Sequence, residues 1–305
     1  MSAARSLVVG EALIDVVHRR DGSVDSHPGG SPLNVAIGLA RLGRESHLLS
    51  WFADDDGGAA LRSHLGGSDV HLVPGSDGAT RTSTAVATLD AEGAATYQFD
   101  IDWRLPGELP TLDPVVVHTG SIAAVLEPGA SAVLDLVHAH RPTATITYDP
   151  NMRPALMGSP ADAGARIEPL LDVADVVKVS DEDLAWYAPG RTVEEVASEW
   201  ASRGPAIVVV TLGGSGAFAV TSSGVRVDVV APRVEVADTV GAGDSFMGGL
   251  VDGLWGAGLL GADRREALHA TDAATLTGVL ERCARIAAIT VSRPGADPPT
   301  TAELA

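Results

Sequence analysis

Between residues 115 and 210 the chain repeats one pattern, a short run of β-branched residues followed by a longer stretch with helical spacing. Val115-Val116-Val117 precedes a helix over 130–140, Thr145-Ile146-Thr147-Tyr148 a helix over 166–172, and Asp175-Val176-Val177-Lys178-Val179 a helix over 193–203; Ile207-Val208-Val209-Val210 closes the series. Continuous apolar strands separated by helices are the signature of a mainly parallel sheet covered on both faces. Such sheets bind ligands beyond the carboxyl ends of their strands. The polar residues that follow the strands here, Asp149, Asn151, Ser180, Asp183 and Thr211, therefore stand where chemistry is expected. With 305 residues, 45% of them apolar, and no repeat or long linker, the chain reads as a single α/β domain over 1–305.

Two segments depart from this pattern. Residues 82–90 alternate, turn at Ala91-Glu92-Gly93 and return through Thr96-Tyr97-Gln98-Phe99, which describes a β-hairpin. Residues 11–28 are extended around an Arg19-Arg20-Asp21-Gly22 turn. Together they predict a small sheet with lid segments at about 11–30 and 80–105, able to cover a site or to pair with a second subunit in a homodimer. After them, Gly29-Gly30-Ser31-Pro32 reads as a turn with Ser31 as N-cap and Pro32 at the first helical position. Leu33, Ile37 and Ala40 share the face of the helix that follows, and Gly43 ends it. Asn34, in its first turn, is either a polar surface residue or a ligand beside the glycine pair.

Near the C-terminus, Asp238-Thr239-Val240-Gly241-Ala242-Gly243-Asp244 runs into the apolar helix-compatible stretch Ser245 to Val251. A glycine-rich turn feeding a helix start leaves backbone N–H groups unpaired and pointing one way, which suits an anion such as a phosphoryl group. Asp244 is then either an ordinary N-cap or a carboxylate that takes a proton from an attacking hydroxyl. The phosphate chemistry is not that of a P-loop, because Lys178 is the chain's one lysine and no Gly-rich loop precedes it. Protein-kinase motifs are absent too. Gly213-Gly214-Ser215-Gly216 forms a second glycine cluster, which lets backbone approach a nucleotide or simply turns the chain. A net charge of −19 opposes nucleic acid and anionic membranes as partners but leaves room for a local anion pocket.

Gly29-Gly30 with Asn34, Asp149-Pro150-Asn151-Met152-Arg153-Pro154, and the closing Asp238 to Asp244 stretch together resemble the ribokinase-like PfkB family of carbohydrate kinases, in its fructokinase branch. The resemblance runs from Gly10 to Gly295. It implies a ribokinase-like three-layer fold with a small β-sheet lid, and ATP-dependent phosphorylation of a primary sugar hydroxyl, with fructose first and ribose or 2-keto-3-deoxygluconate as alternative acceptors. A catalytically silent binding protein on the same fold is the reading from another class. By that resemblance Asp244 is the general base, and Gly241, Ala242 and Gly243 form the anion hole. Asp15, Gly29, Gly30, Asn34 and Arg153 bind the sugar; Lys178, Ser180, Asp183, Thr211, Gly213 and Gly216 serve the nucleotide. Magnesium is held through phosphates and water rather than by a protein cage, and a potassium ion near Asp238 is a family feature. Ser180 and Asp183 stand where the family often carries Asn-x-x-Glu.

Other features read plainly. His138 and His140 sit one residue apart on a helix, point in different directions and belong to the surface. Trp51, Trp186, Trp200 and Trp255 pack, as does Cys283, whose solitude excludes an internal disulfide and fits a reducing cytoplasm. Trp103 and Phe99 either close over the sugar or join lid to core. No targeting segment or membrane-length apolar span is expected.

Overall fold

A computed structural model of the chain describes residues 4–18, 23–89 and 95–305. The turns expected at Arg19–Gly22 and at Ala91–Gly93 lie outside the described residues. Strand β1 (Arg5–Val9) leads into β2 (Leu13–His18) and β3 (Val24–Gly29), helix α1 (Ser31–Arg41), β4 (Glu45–Leu49), α2 (Asp56–Gly66) and the short β5 (His71–Leu72). The expected hairpin is β6 (Thr84–Leu89) and β7 (Ala95–Asp100). The alternating stretch then gives β8 (Val116–Gly120), α3 (Gly129–His140), β9 (Thr145–Asp149), α4 (Pro154–Met157), α5 (Pro160–Leu171), β10 (Val176–Ser180), α6 (Asp181–Tyr187), α7 (Val193–Arg203) and β11 (Ile207–Thr211). Strands β12 (Ala217–Thr221) and β13 (Arg226–Val229) precede the long helices α8 (Ala242–Gly256) and α10 (Ala273–Val291), with the short α9 (Arg265–His269) between them.

The large sheet has nine strands in the order β13-β12-β11-β10-β9-β8-β1-β4-β5, parallel from β11 to β5, with β12 and β13 added antiparallel. Because these strands are covered on both sides, alternate residues feed two cores. Val8, Leu48, Val116 and Val176 pack against α1, α8 and α10 through Leu33, Ile37, Met247 and Leu280. Val9, Val117, Ile146 and Val177 pack against α3, α5 and α7 through Val137, Ile167 and Trp200. The result is the expected three-layer α/β arrangement. The separate four-stranded sheet, β3-β2-β6-β7, joins the two segments that the sequence had set apart. From β1 the chain moves outward to β4 and later returns on the other side at β8, so the strand order reverses between β1 and β8. A crevice forms outside the carboxyl ends of strands at such a reversal.

Several local expectations change. Ser31 is not the N-cap of α1; Gly30 holds that position at φ 118° with no side-chain cap, and Ser31 is the first helical residue. The helix expected at 166–172 starts six residues earlier, at Pro160, where Ser159 and Asp162 form a capping box. Trp103 does not close over a sugar: it is 2% exposed and donates its indole N–H to the Ala123 carbonyl at 3.1 Å. Cys283 is buried in the α8–α10 contact, where Gly249 and Gly253 let the helices approach; a Cβ on Gly253 would stand 2.9 Å from Val279.

Candidate active site

The turn before α8 needs its glycines. Gly241 has φ 74°, and a Cβ there would lie 2.5 Å from that of Ala296. The first intrahelical bond runs from Ser245 N–H to the Gly241 carbonyl at 2.8 Å, and Ala242 N–H turns back to Thr239 at 3.3 Å. The N–H groups of Gly241, Gly243 and Asp244 have no acceptor among the described residues. They form the positive end of a 15-residue helix.

Asp244 lies in that first turn, 8% exposed. Its Oδ1 accepts from the Ser31 hydroxyl at 2.6 Å, and its Oδ2 from the Asn34 amide at 2.7 Å. Asn151 Nδ2 stands 3.5 Å from Oδ1. Residues three apart on a helix share a face, so the first turn of α1 presents Ser31 and Asn34 together and fixes the carboxylate's plane. Asn34 is therefore a buried partner, not a surface residue. Asp244, Asn34, Gly30, Asp15 and Arg153 line one cleft of about 360 Å³, whose wall also includes Phe99 from β7 and Gly241 to Gly243 from the turn.

Below this turn lies a buried ion pair. Lys178 Nζ donates to Asp149 Oδ2 at 2.8 Å, and a Cβ on Gly243 would be 2.9 Å from the same nitrogen. Burial alone would push the lysine down, but the Asp149 carboxylate, with Asp244 and Asp183 nearby, holds it above its usual value. His118, one strand over, is pushed down to about 4 by burial and stays neutral. Its Nδ1 lies 3.1 Å from Thr147 Oγ1, while Nε2 has no partner among the described residues.

The segment after β9 is held from several sides. Asn151, at φ 36°, gives its N–H to Asp149 Oδ1, and Arg153 Nη1 donates to the Asn151 carbonyl, the Asn151 side chain and the Met152 carbonyl. Asp183 Oδ1 accepts Met152 N–H at 3.2 Å, and Asp183 N–H is taken by Ser180 Oγ at 3.0 Å. Burial raises the Asp183 carboxyl, as does Asp149 beside it. Burial also raises Asp15, against the pull of Arg153 and His27. Gly29 does not line the cleft; it leaves room for the Asp15 carboxylate, onto which a Cβ would fall.

Ser180, Asp183, Thr211, Gly213 and Gly216 stand outside this cleft, at the carboxyl ends of β10 and β11. Gly213 and Gly216 have φ 52° and 115°, which shapes the loop into β12. Asp238 accepts from Val240 N–H at 3.0 Å and from Gly295 N–H at 2.9 Å, and these bonds hold it below the usual range. Among the described residues no cluster of three or more His, Cys, Asp or Glu side chains is placed to hold a metal, and no helix is long and apolar enough to cross a membrane. The sequence reading passed over Glu11, which lines the cleft, and His118. Glu11 follows β1 directly, so the rule that placed Asp149 after its strand would have found it.

The described geometry has relatives. The chain matches the pfkB family carbohydrate kinase description over residues 3–303. It is 34% identical over 256 residues to a fructokinase of Klebsiella pneumoniae, covering 81% of this chain and 83% of that one. With the probable fructokinase-4 of Arabidopsis thaliana it shares 34% over 323 residues, 98% of this chain and 96% of the relative. A fructokinase from Vibrio cholerae O395, solved with fructose, ADP and a calcium ion bound, superposes with a TM-score of 0.80 at 26% identity over 100% of this chain and 98% of its own. A helix start with unpaired N–H groups stands beside an oriented carboxylate, and the family match spans nearly the whole chain: the protein belongs to the pfkB family of carbohydrate kinases.

Proposed function

We propose that the protein is an ATP-dependent fructokinase, a single kinase domain over 1–305 with the four-stranded sheet as its lid. The observation that carries this reading is Asp244, a buried carboxylate oriented by Ser31 and Asn34 beside unpaired helix N–H groups. Asp244 takes the proton of the acceptor's primary hydroxyl as that oxygen forms its bond to the γ-phosphorus and the bridge to ADP breaks. The unpaired N–H groups of Gly241 and Gly243, with Ala242 completing the turn between them, receive the equatorial oxygens, where preorganised donors contribute most. Asp15, Gly30 and Asn34 hold sugar hydroxyls, with Gly29 giving Asp15 its room. Arg153 offsets the charge that the nucleotide brings. Lys178, Ser180, Asp183, Thr211, Gly213 and Gly216 serve the nucleotide side.

The Vibrio relative's fructose and ADP support the substrate pair. Three carboxyl groups, Glu11, Asp15 and Asp244, face one cleft with a single arginine, a balance that suits a neutral polyol better than a sugar acid. Magnesium, which neutralises phosphate charge, would be held by phosphates and water with Asp183 at its margin. A potassium ion near Asp238, a cytoplasmic location and a homodimer joined through the lid sheet complete the proposal.

The test is ADP release with Mg-ATP across ketoses, pentoses, nucleosides and sugar acids, with Asp244→Asn in parallel. Fructose should give the highest kcat/KM, and Asp244→Asn should lower kcat by about 10²–10⁴-fold while sugar still binds. Unchanged turnover in Asp244→Asn would sink the mechanism; preference for 2-keto-3-deoxygluconate or ribose would replace the sugar. Saturable sugar binding without turnover would point to a silent binding protein.

A further inference from the structure

Glu11 has no part in the chemistry above, yet its position is costly. It follows β1 at the strand-order reversal, is 3% exposed, and lines the same cleft as Asp15 and Asp244. Its Oε2 accepts Ala123 N–H at 3.1 Å, and the Ser121 hydroxyl also serves the carboxyl. Ser121 is itself unusual, a non-glycine residue at φ 55°, a backbone region that side chains enter at a cost. Glu11 thus ties down the strained turn at Ser121–Ala124, whose Ser121 and Ile122 form part of the cleft wall. A carboxylate has about four acceptor positions; its own backbone N–H, the Ser121 hydroxyl and the Ala123 N–H occupy three and leave one for a ligand in the cleft that Glu11 lines.

We propose that Glu11 is a specificity-determining residue of the acceptor site, holding the turn after β8 against the sugar and accepting a sugar hydroxyl with its remaining capacity. The inference rests on the sugar-kinase reading. Burial pushes the Glu11 carboxyl up to about 7, against the pull of its hydrogen bonds and of Arg153. The charged groups around it are Arg153 beside α4, Asp15 on β2 and Asp244 on α8; the Ser121–Ala124 turn and the first turn of α1 supply none. A sugar hydroxyl that donates to the ionised form pulls the equilibrium toward it. Sugar binding near neutrality therefore releases a proton from Glu11 to the buffer. If only the ionised form binds well, the apparent sugar affinity falls about tenfold from pH 8 to pH 6, because the competent fraction falls by that factor.

The experiment measures steady-state KM for sugar and for ATP from pH 6 to 8 in the wild type, Glu11→Gln and Glu11→Asp. It adds calorimetry of sugar binding to the wild type in buffers of different ionisation enthalpy, which needs no variant to fold. Expected results are proton release on binding, a wild-type sugar KM that rises about tenfold toward pH 6, and a Glu11→Gln sugar KM that is high and flat with pH. The ATP KM should stay unchanged, and Glu11→Asp should restore the pH dependence in part. A Glu11→Gln profile equal to the wild type's, or buffer-independent binding enthalpy, would leave Glu11 a structural staple and overturn the proposal. Turnover and sugar binding absent from the wild type with every acceptor would remove the sugar-kinase reading, and this inference with it.

Discussion

Replacing Lys178 with Met removes one charge and little volume from the floor of the site. Its side chain and that of Asp149 are 4% and 1% exposed, and their ion pair spans 2.8 Å. Without the ammonium, Asp149 keeps the Asn151 N–H at 3.1 Å as its partner. Breaking a buried pair from one side costs about 3–5 kcal/mol, because the remaining charge stays desolvated. An exposed pair such as Arg191–Glu199 contributes about 1 kcal/mol at most. For a chain of this size the buried loss corresponds to a drop in Tm on the order of 5–15 °C. The sign with pH follows from the raised Lys178 value: the contribution is complete below the ordinary 10.5 and disappears only as pH rises through the higher folded value. Melts at pH 6 to 9 should therefore show the same deficit throughout. Adding Asp149→Asn removes the stranded charge and should recover more than half of the loss, as thermal melts of the four proteins in a double-mutant cycle will report. Turnover should stay low in the recovered double variant, since the ammonium that fills the space beside Gly243 is still missing. A single variant that melts within 1 °C of the wild type, or a double variant that loses the sum of both singles, would refute the reasoning.

Gly29→Ala should leave the fold intact, because the carboxylate it displaces belongs to a side chain that can rotate, but it should raise the sugar KM roughly 10–100-fold through loss of Asp15's charge-assisted bonds; steady-state kinetics beside a melt will separate the two effects. Gly30→Ala meets the Glu11 backbone carbonyl and a φ of 118°, so its Tm should fall well below that of Gly29→Ala. Glu11, raised from 4.5 to about 7, gives stability that is present below 4.5 and lost as pH rises through 7, whereas His118, lowered from 6.5 to about 4, gives stability present above 6.5 and lost as pH falls through 4. Glu11→Gln should thus gain about 2.5 kcal/mol on the wild type between pH 5 and pH 8 in urea titrations, and a difference that does not change with pH would refute the assignment.

The parallel sheet was legible because strands covered on both faces cannot alternate; they must be Val and Ile runs, and those runs stand out. Helix α7 was legible to the residue because Thr192 and Glu195 close a capping box at its start. Strand β4 and helix α2 went unread for converse reasons. Glu45-Ser46-His47-Leu48-Leu49 lies near the sheet's edge and carries polar residues, while α2 opens with two glycines that weaken any helical signal. In the site, the glycine turn and Asp244 were legible because a glycine-rich turn into a helix start is a local grammar. The Ser31–Asp244 bond joins residues 213 apart, and Lys178 meets Asp149 across neighbouring strands. Spacing along a chain carries no information on such contacts.

What spacing does carry is the local expectation that a contact overrides. Ser31 would serve α1 best as its N-cap, a role worth about 1 kcal/mol. The chain instead places Gly30 there at φ 118° and moves the serine one position inward, where its hydroxyl reaches Asp244. Glu11 would be more stable ionised in water, yet it is buried against a strained turn. Lys178 would be at home on any surface of this acidic chain, and its one lysine lies under Gly243. The departures at Ser31 and Glu11 lose stability locally, the Lys178 charge is held by Asp149, and all three stand at or under one cleft. Random imperfection would scatter such losses over the sheet. Their convergence means that substitutions restoring the local optimum, Glu11→Gln first among them, should stabilise the fold at pH 8 while weakening its hold on sugar; a variant that gained in both would show that the burial of Glu11 serves no ligand.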